Sequence, residues 1–269
     1  MKNSYKLKEW IEKEKIDWVW LSKNENAIDL LKNNKDKINW FNLCHNKNAI
    51  DLLKKNKDEI IWNWLFLNPN AIELLQEYKG KINWVWLSAN ENAIDILEKN
   101  MSEIYWTCLS GNPKGIKLIE EQLLKQDRLK EKILLGQELT EEEKLEKDKD
   151  KINWDYLSTN EAAIHILEKN FNKINWEKLS FNPAAIDILK KNFHKINWNS
   201  LSMNPAAIDL LEENFNKINW VCLSRNPNAI HLLKNNKDKI NWQQFSANPG
   251  IFELIETDKF NNLSEDLVI

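Results

Sequence analysis

Apolar and polar positions along this chain repeat on a 22-residue ruler, marked by tryptophans at positions 18, 40, 62, 84, 106, 154, 176, 198, 220 and 242. The ruler breaks once, at a 48-residue step from Trp106 to Trp154. A fixed period means that every unit solves the same packing problem, so residues in register are scaffold before they are active site. Written from the tryptophan, the unit is W-x-x-L-S-x-N-P-x-A-I-D-L-L-K-x-N-x-x-K-I-N. Apolar residues 9, 10, 12 and 13 places after the tryptophan, such as Ala185, Ile186, Ile188 and Leu189, fall on one stripe of a helical wheel. The Asn six places on, present in every copy from Asn24 to Asn248, predicts an N-cap. In six copies Pro follows it as a preset first helical residue (Pro69, Pro113, Pro183, Pro205, Pro227, Pro249). Asp or Asn before most tryptophans predicts a second cap, on a short first helix carrying Trp and then Leu. The Ser after that Leu is small, and is read as allowing close helix approach rather than as a nucleophile. The Asn sixteen places on, as in Asn34 and Asn192, is expected to stop the second helix in a left-handed conformation.

The fold class that follows is all-α, an α-solenoid of about ten short helical-hairpin repeats with a helical insertion, in an elongated open stack. The alternative is a leucine-rich-repeat-like solenoid, since L-S-x-N on this period has a similar look. Its strand needs apolar residues at alternate places, and Asn63, Asp155, Glu177 and Gln243 occupy one of them. The predicted organisation is an N-terminal helical cap over 1–17, with Ser4 capping a helix that carries Leu7, Trp10 and Ile11. Repeats 1–4 and the start of repeat 5 occupy 18–112, and an extended helix with a charged helical hairpin occupies 113–153. Repeats 6–10 occupy 154–257, and a C-terminal cap with Phe260, Leu263, Leu267 and Val268 occupies 258–269. In the insertion, Gly136 reads as a helix stop and Thr140 with Glu143 as a capping box.

The string K-I-N-W-x-x-L-S-x-N-P-x-A-I-x-L-L, at Lys173 to Leu189 and again at Lys195 to Leu211, resembles tandem repeats in proteins of giant amoeba viruses, the mimivirus relatives. The resemblance covers nearly the whole chain. That family carries no assigned activity, so what the resemblance implies is a viral origin and a host-cell setting. Glu25, Lys47 and Glu91 depart from the motif at the Pro place, and Gly115 at the Ala place.

Composition narrows the functional classes. The formal charge is -3, evenly spread, and only Arg128 and Arg225 among 38 bases are arginines. Without a basic footprint, the balance weighs against nucleic acid as partner. Three cysteines in different repeats, Cys44, Cys108 and Cys222, argue against a disulfide framework and for a reducing, cytoplasmic compartment. No apolar run suggests a signal peptide or a membrane span. Catalysis finds no dyad, because stacked layers hold equivalent side chains about 8–10 Å apart. His165 and His231 stand three repeats apart, so neither a metal site nor a cofactor is expected. The expectation is a non-enzymatic scaffold binding a protein partner, as monomer or weakly self-associating. The alternatives are a helical nucleic-acid reader and a self-associating structural protein. Candidate binding residues lie where repeats differ, one and two places after the tryptophan: Trp20, Phe41, Trp64, Trp86 and Tyr156. The competing reading is that neighbouring units cover them. A second candidate face is the ladder of Asp29, Asp51, Glu73 and Asp95, with solvation as its bland alternative.

Overall fold

The computed structural model describes residues 4–78, 80–147 and 152–255. Repeat 8 shows how the unit is built. Its first helix, Trp198–Met203, starts where the Asn197 side chain accepts a hydrogen bond from the Ser200 backbone N–H. Asn204 then caps the next turn through Ala206 N–H, and the second helix runs Ile208–Glu213. A 3-10 turn over Phe215–Lys217 leads to the next unit. Leu201 and Leu211 are fully buried between the two helices, with Ala207 and Ile218 beside them. The same elements recur around the chain, so the fold is an all-α helical-repeat solenoid.

Two local expectations are corrected. The Asn that ends each second helix is not left-handed, since among the described residues only Gly136 has positive φ. Asn214, at φ -126°, instead donates its Nδ2 to the Leu210 carbonyl at 2.9 Å. Asn34, Asn56, Asn100, Asn170, Asn192 and Asn236 do the same four residues back. The side chain therefore satisfies an orphan carbonyl that a left-handed residue would otherwise serve. The ruler tryptophans pack on the edge of the core, all except the buried Trp106 being half-buried. Lys217 lies 4.6 Å over the Trp198 ring, and Lys37, Lys173, Lys195 and Lys239 stand likewise over Trp18, Trp154, Trp176 and Trp220. Each such cation–π contact is worth about 0.5–1 kcal/mol at an exposed site. The second concerns the helical cap expected over 1–17: among the described residues from Ser4 on, Leu7, Trp10 and Ile11 lie on no helix, and the one helical turn is the 3-10 segment Lys13–Lys15.

In its place strand β1, Tyr5–Leu7, pairs antiparallel with strand β2, Phe252–Leu254. Tyr5 and Leu7 pack on the core while Lys6 points away to Glu253 at 3.2 Å, the alternation of a strand. This ribbon closes the solenoid into a ring. Repeat 10 has a head, Trp242–Ser246 and Pro249–Ile251, but turns into β2 where its second helix would start. Its tail comes from the other end: Lys13–Lys15 forms the 3-10 turn, Ile16 is buried in the Ile place, and Lys15 lies 5.3 Å over Trp242. The predicted open stack is thus overturned. The cap expected at Phe260, Leu263, Leu267 and Val268 lies outside the described residues.

Two polar ladders run through the closed interior. Each buried Asn six places after its tryptophan donates Nδ2 to two carbonyls of the preceding repeat. Asn204 reaches Ser180 O at 3.1 Å and Asn182 O at 3.0 Å. Asn160 makes the same pair to Ser110 and Asn112 across the insertion. Asn24 completes the circle by donating to Ser246 O at 3.0 Å and Asn248 O at 2.8 Å. The Ser hydroxyl makes the second ladder. Ser202 Oγ donates to Trp198 O and accepts from Asn219 N–H. At the closure Ser246 Oγ accepts from Asp17 N–H at 2.9 Å. Close approach is therefore enforced by hydrogen bonds as well as by small size. Phe66 replaces the Ser in repeat 3, and there a separate apolar cluster of Phe66, Leu87 and Ala93 forms.

The insertion projects from repeat 5 as the helix Ile116–Leu134 followed by the helix Glu141–Lys147. Gly136, at φ 67°, stops the first, with Gln137 N–H returning to Lys132 O. Thr140 and Glu143 bond each other's backbone N–H groups in a capping box. Glu120 on the long helix reaches His165 Nε2 at 2.7 Å, tying it to repeat 6. Among the described residues no helix is long and apolar enough to cross a membrane.

Candidate functional site: the inner wall of the ring

At the seams between repeats 2 and 3, 4 and 5, 6 and 7, 7 and 8, 8 and 9, and 10 and 1, neighbouring first helices approach within 8 Å, Cα to Cα, more extensively than second helices do at any seam. In a closed ring the more closely spaced elements lie at the smaller radius, so first helices form the inner wall. Each buries its Leu and Ser outward against the second helix, which leaves the positions one, two and five after the tryptophan facing inward. Ten layers at about 8–10 Å give a circle about 25–32 Å across through the helix axes. Helices about 10–12 Å thick then leave an opening of roughly 15–20 Å, enough for one extended chain.

The inner wall is not uniform. On the arc of repeats 2 to 4, Phe41 meets Trp64 edge-on at 4.9 Å, and Trp64 meets Trp86 at 5.3 Å. His45 lies against both Phe41 and Trp64, at 5.3 and 5.4 Å. Phe41 is exposed, while Trp64 and Trp86 are half-buried by one another. Trp20 joins this arc on its other side, where the Arg225 guanidinium sits 5.9 Å from its ring. Tyr156 is exposed but packs beside Gly111, outside the aromatic run. The facing arc is mixed: Asn175 donates to Asp155 at 2.8 Å and Asn219 to Asn199 at 2.8 Å, while Phe181 and Val221 are exposed there.

Position five after the tryptophan, which the sequence reading passed over, brings three basic side chains onto the aromatic arc: Lys23, His45 and Arg225. Desolvation, and then the Arg225 charge, push the Lys23 ammonium below its ordinary value. Desolvation also pushes His45 down, the Phe41 carbonyl opposes it, and Lys23 adds to the fall. A carbonyl only accepts, so His45 Nδ1 carries the proton it donates to Phe41 O at 3.1 Å and leaves Nε2 bare. Among the described residues no carboxylate pairs with Lys23 or Arg225. Since the fall disfavours the charged ring, His45 stays neutral at pH 7 and takes its second proton only below the ordinary 6.5. A proton NMR titration should place its midpoint under that value, and Lys23→Ala should raise it. A midpoint at or above 6.5 contradicts this placement.

The second candidate face lies outside, on the second helices. Asp29 pairs with Lys32 at 3.0 Å, and Glu73 faces Lys54 of the preceding repeat at 3.8 Å; Asp51 and Asp95 are exposed. The amides that accompany them are committed to the scaffold. Asn48 donates to Glu25 O and Asn92 to Pro69 O, and Asn26 donates to Pro249 O across the closure. Burial raises the Cys44 thiol, and desolvation raises Cys222, so neither is primed as a nucleophile. No group of three or more potential metal ligands occurs among the described residues. No protein-family model, curated protein or solved structure matches this chain.

Proposed function

We propose that this protein is a non-enzymatic binding ring that holds a segment of a partner protein against its inner wall, on the arc of Trp20, Phe41, Trp64 and Trp86. One observation carries the reading: side chains from successive repeats, at inward positions that vary between repeats, converge into an aromatic run of Phe41, Trp64 and Trp86, with Trp20 on its other side beneath Arg225. Aromatic anchors in a concave, partly desolvated setting are what recognition surfaces use. An inward strip is out of reach of a second ring, which favours a partner segment over self-association. The sparse positive charge favours protein over nucleic acid. A giant-virus origin, with action in the host cytoplasm, belongs to the same proposal and rests on the repeat resemblance. Selection of a displayed random twelve-residue peptide library against the immobilised protein tests the reading. Enriched peptides that lose binding to the Trp64→Ala/Trp86→Ala double variant support it. Failure to enrich any peptide, or binding indifferent to both tryptophans, overturns it.

A further inference from the structure

The basic side chains on the aromatic arc specify the chemistry of the segment, and this inference rests on the proposed binding role. Lys23 and Arg225 stand in repeats 1 and 9, with repeat 10 between them. Wall curvature nevertheless lets Arg225 reach across repeat 10 to lie 5.9 Å from the ring of Trp20, three residues from Lys23, and its charge disfavours the Lys23 ammonium. Arg225 lies over Trp20, and His45 lies in the aromatic run with its Nε2 unbonded. Part of the outer face is charge-paired. There, Lys32, Lys47, Lys54 and Lys57 each stand beside a carboxylate: Asp29, Glu25, Glu73 and Glu77. Two like charges held together on a concave wall, with no carboxylate of the described chain between them, leave a gap that an incoming anion fills. A guanidinium binds a carboxylate through a planar fork, and the neighbouring ammonium adds a second donor.

The geometry points to an acidic peptide segment as the occupant. One Asp or Glu sits between Lys23 and Arg225, and an aromatic or large apolar residue a few positions along packs on Phe41, Trp64 and Trp86. An extended chain rises about 3.3 Å per residue, so a few residues cover the distance between adjacent helix layers at about 8–10 Å. A single-stranded nucleic acid would also bring anions and stackable rings, but its phosphates recur at every nucleotide. Here two cations, Lys23 and Arg225, stand on the aromatic arc, while on the facing arc Lys178 is accompanied by Asp155 and Glu177.

The same library selection, followed by synthetic peptides, tests this. Selected peptides should be enriched in Asp or Glu near an aromatic residue. Replacing those acids by Asn or Gln should weaken binding at least tenfold on the wild-type ring, read by fluorescence anisotropy. On the Lys23→Ala/Arg225→Ala double variant the same replacement should cost less than threefold. Lys23 and Arg225 are exposed, so the variant's melting temperature should match wild type and report an intact fold. Peptides that depend on Trp64 and Trp86 yet show no acid preference overturn the acidic specificity and leave the binding ring standing. An acid preference indifferent to Lys23 and Arg225 also overturns it. No selected peptide at all removes the binding role itself. Tighter, steeply salt-dependent binding of a thymidine oligonucleotide replaces the peptide by nucleic acid.

Discussion

Asn24→Ala and Asn204→Ala should destabilise the protein by similar amounts, although one residue lies near the start of the chain and the other deep within the array. Asn204 is fully buried, and its side chain makes three hydrogen bonds, two of them to the preceding repeat. Alanine removes all three and strands the Ser180 carbonyl in a dry interface. The Asn182 carbonyl keeps only its bond from Ala185 N–H. At about 1 kcal/mol for each of the bonds to Asn182 and Ala206, and about 1–3 kcal/mol for the stranded Ser180 carbonyl, the loss comes to about 3–5 kcal/mol. In an open array Asn24 would face solvent on one side, and its replacement would cost little. In the ring Asn24 makes the same three bonds, to Ser246, Asn248 and the Asn26 N–H. Chemical denaturation of the two variants compares them directly. A cost for Asn24→Ala under about 1 kcal/mol, beside the full cost for Asn204→Ala, contradicts closure.

Excising a single period should do more harm than removing a single interface. Deleting residues 185–206 joins Ala184 to Ala207 and regenerates the N-P-A-A-I-D string without a scar. An open solenoid loses one layer and keeps its form. A ring of ten repeats turns about 36° per unit, and nine must turn about 40° or stay open, because each layer sees only its neighbours. The interfaces are fixed by hydrogen bonds of 2.7–3.2 Å along the Asn ladder, which leave little room for four extra degrees at every seam. Opening instead bares the buried Leu21, Leu31 and Ile38 edge and leaves Asn24 unpaired. The expected result is a melting temperature lower by well over 10 °C, or rings rebuilt from two chains, detected by light scattering. A monomer melting within a few degrees of wild type contradicts a strained closure.

The variable positions illustrate what a sequence conveys about recognition. Phe41, Trp64 and Trp86 were identifiable because an apolar residue at a position with no scaffold duty stands out against the repeat. Lys23, His45 and Arg225 were not, since single basic residues in a chain with 38 of them carry no signal until curvature brings three repeats together. The Asn at position eight sits beside the acidic ladder, and its role as an inter-repeat tie, seen at Asn48 and Asn92, carries no mark within one unit. A polar side chain's partner two dozen residues away is invisible to a local pattern.

Helix positions, caps, the insertion hairpin with Gly136 and its Thr140–Glu143 box, and the identity of the core stripe followed from the sequence, because each rests on hydrogen bonds and burial within one period. Closure did not follow. A small rotation per layer accumulates over ten layers, and no residue within one unit encodes where the sum ends. The half-repeats were nevertheless written at both ends, a tail K-E-K-I-D before Trp18 and a head W-Q-Q-F-S-A-N-P after Asn241. Only the folded chain brings them together, pairing Tyr5–Leu7 with Phe252–Leu254 and turning an array with two exposed edges into a ring with none.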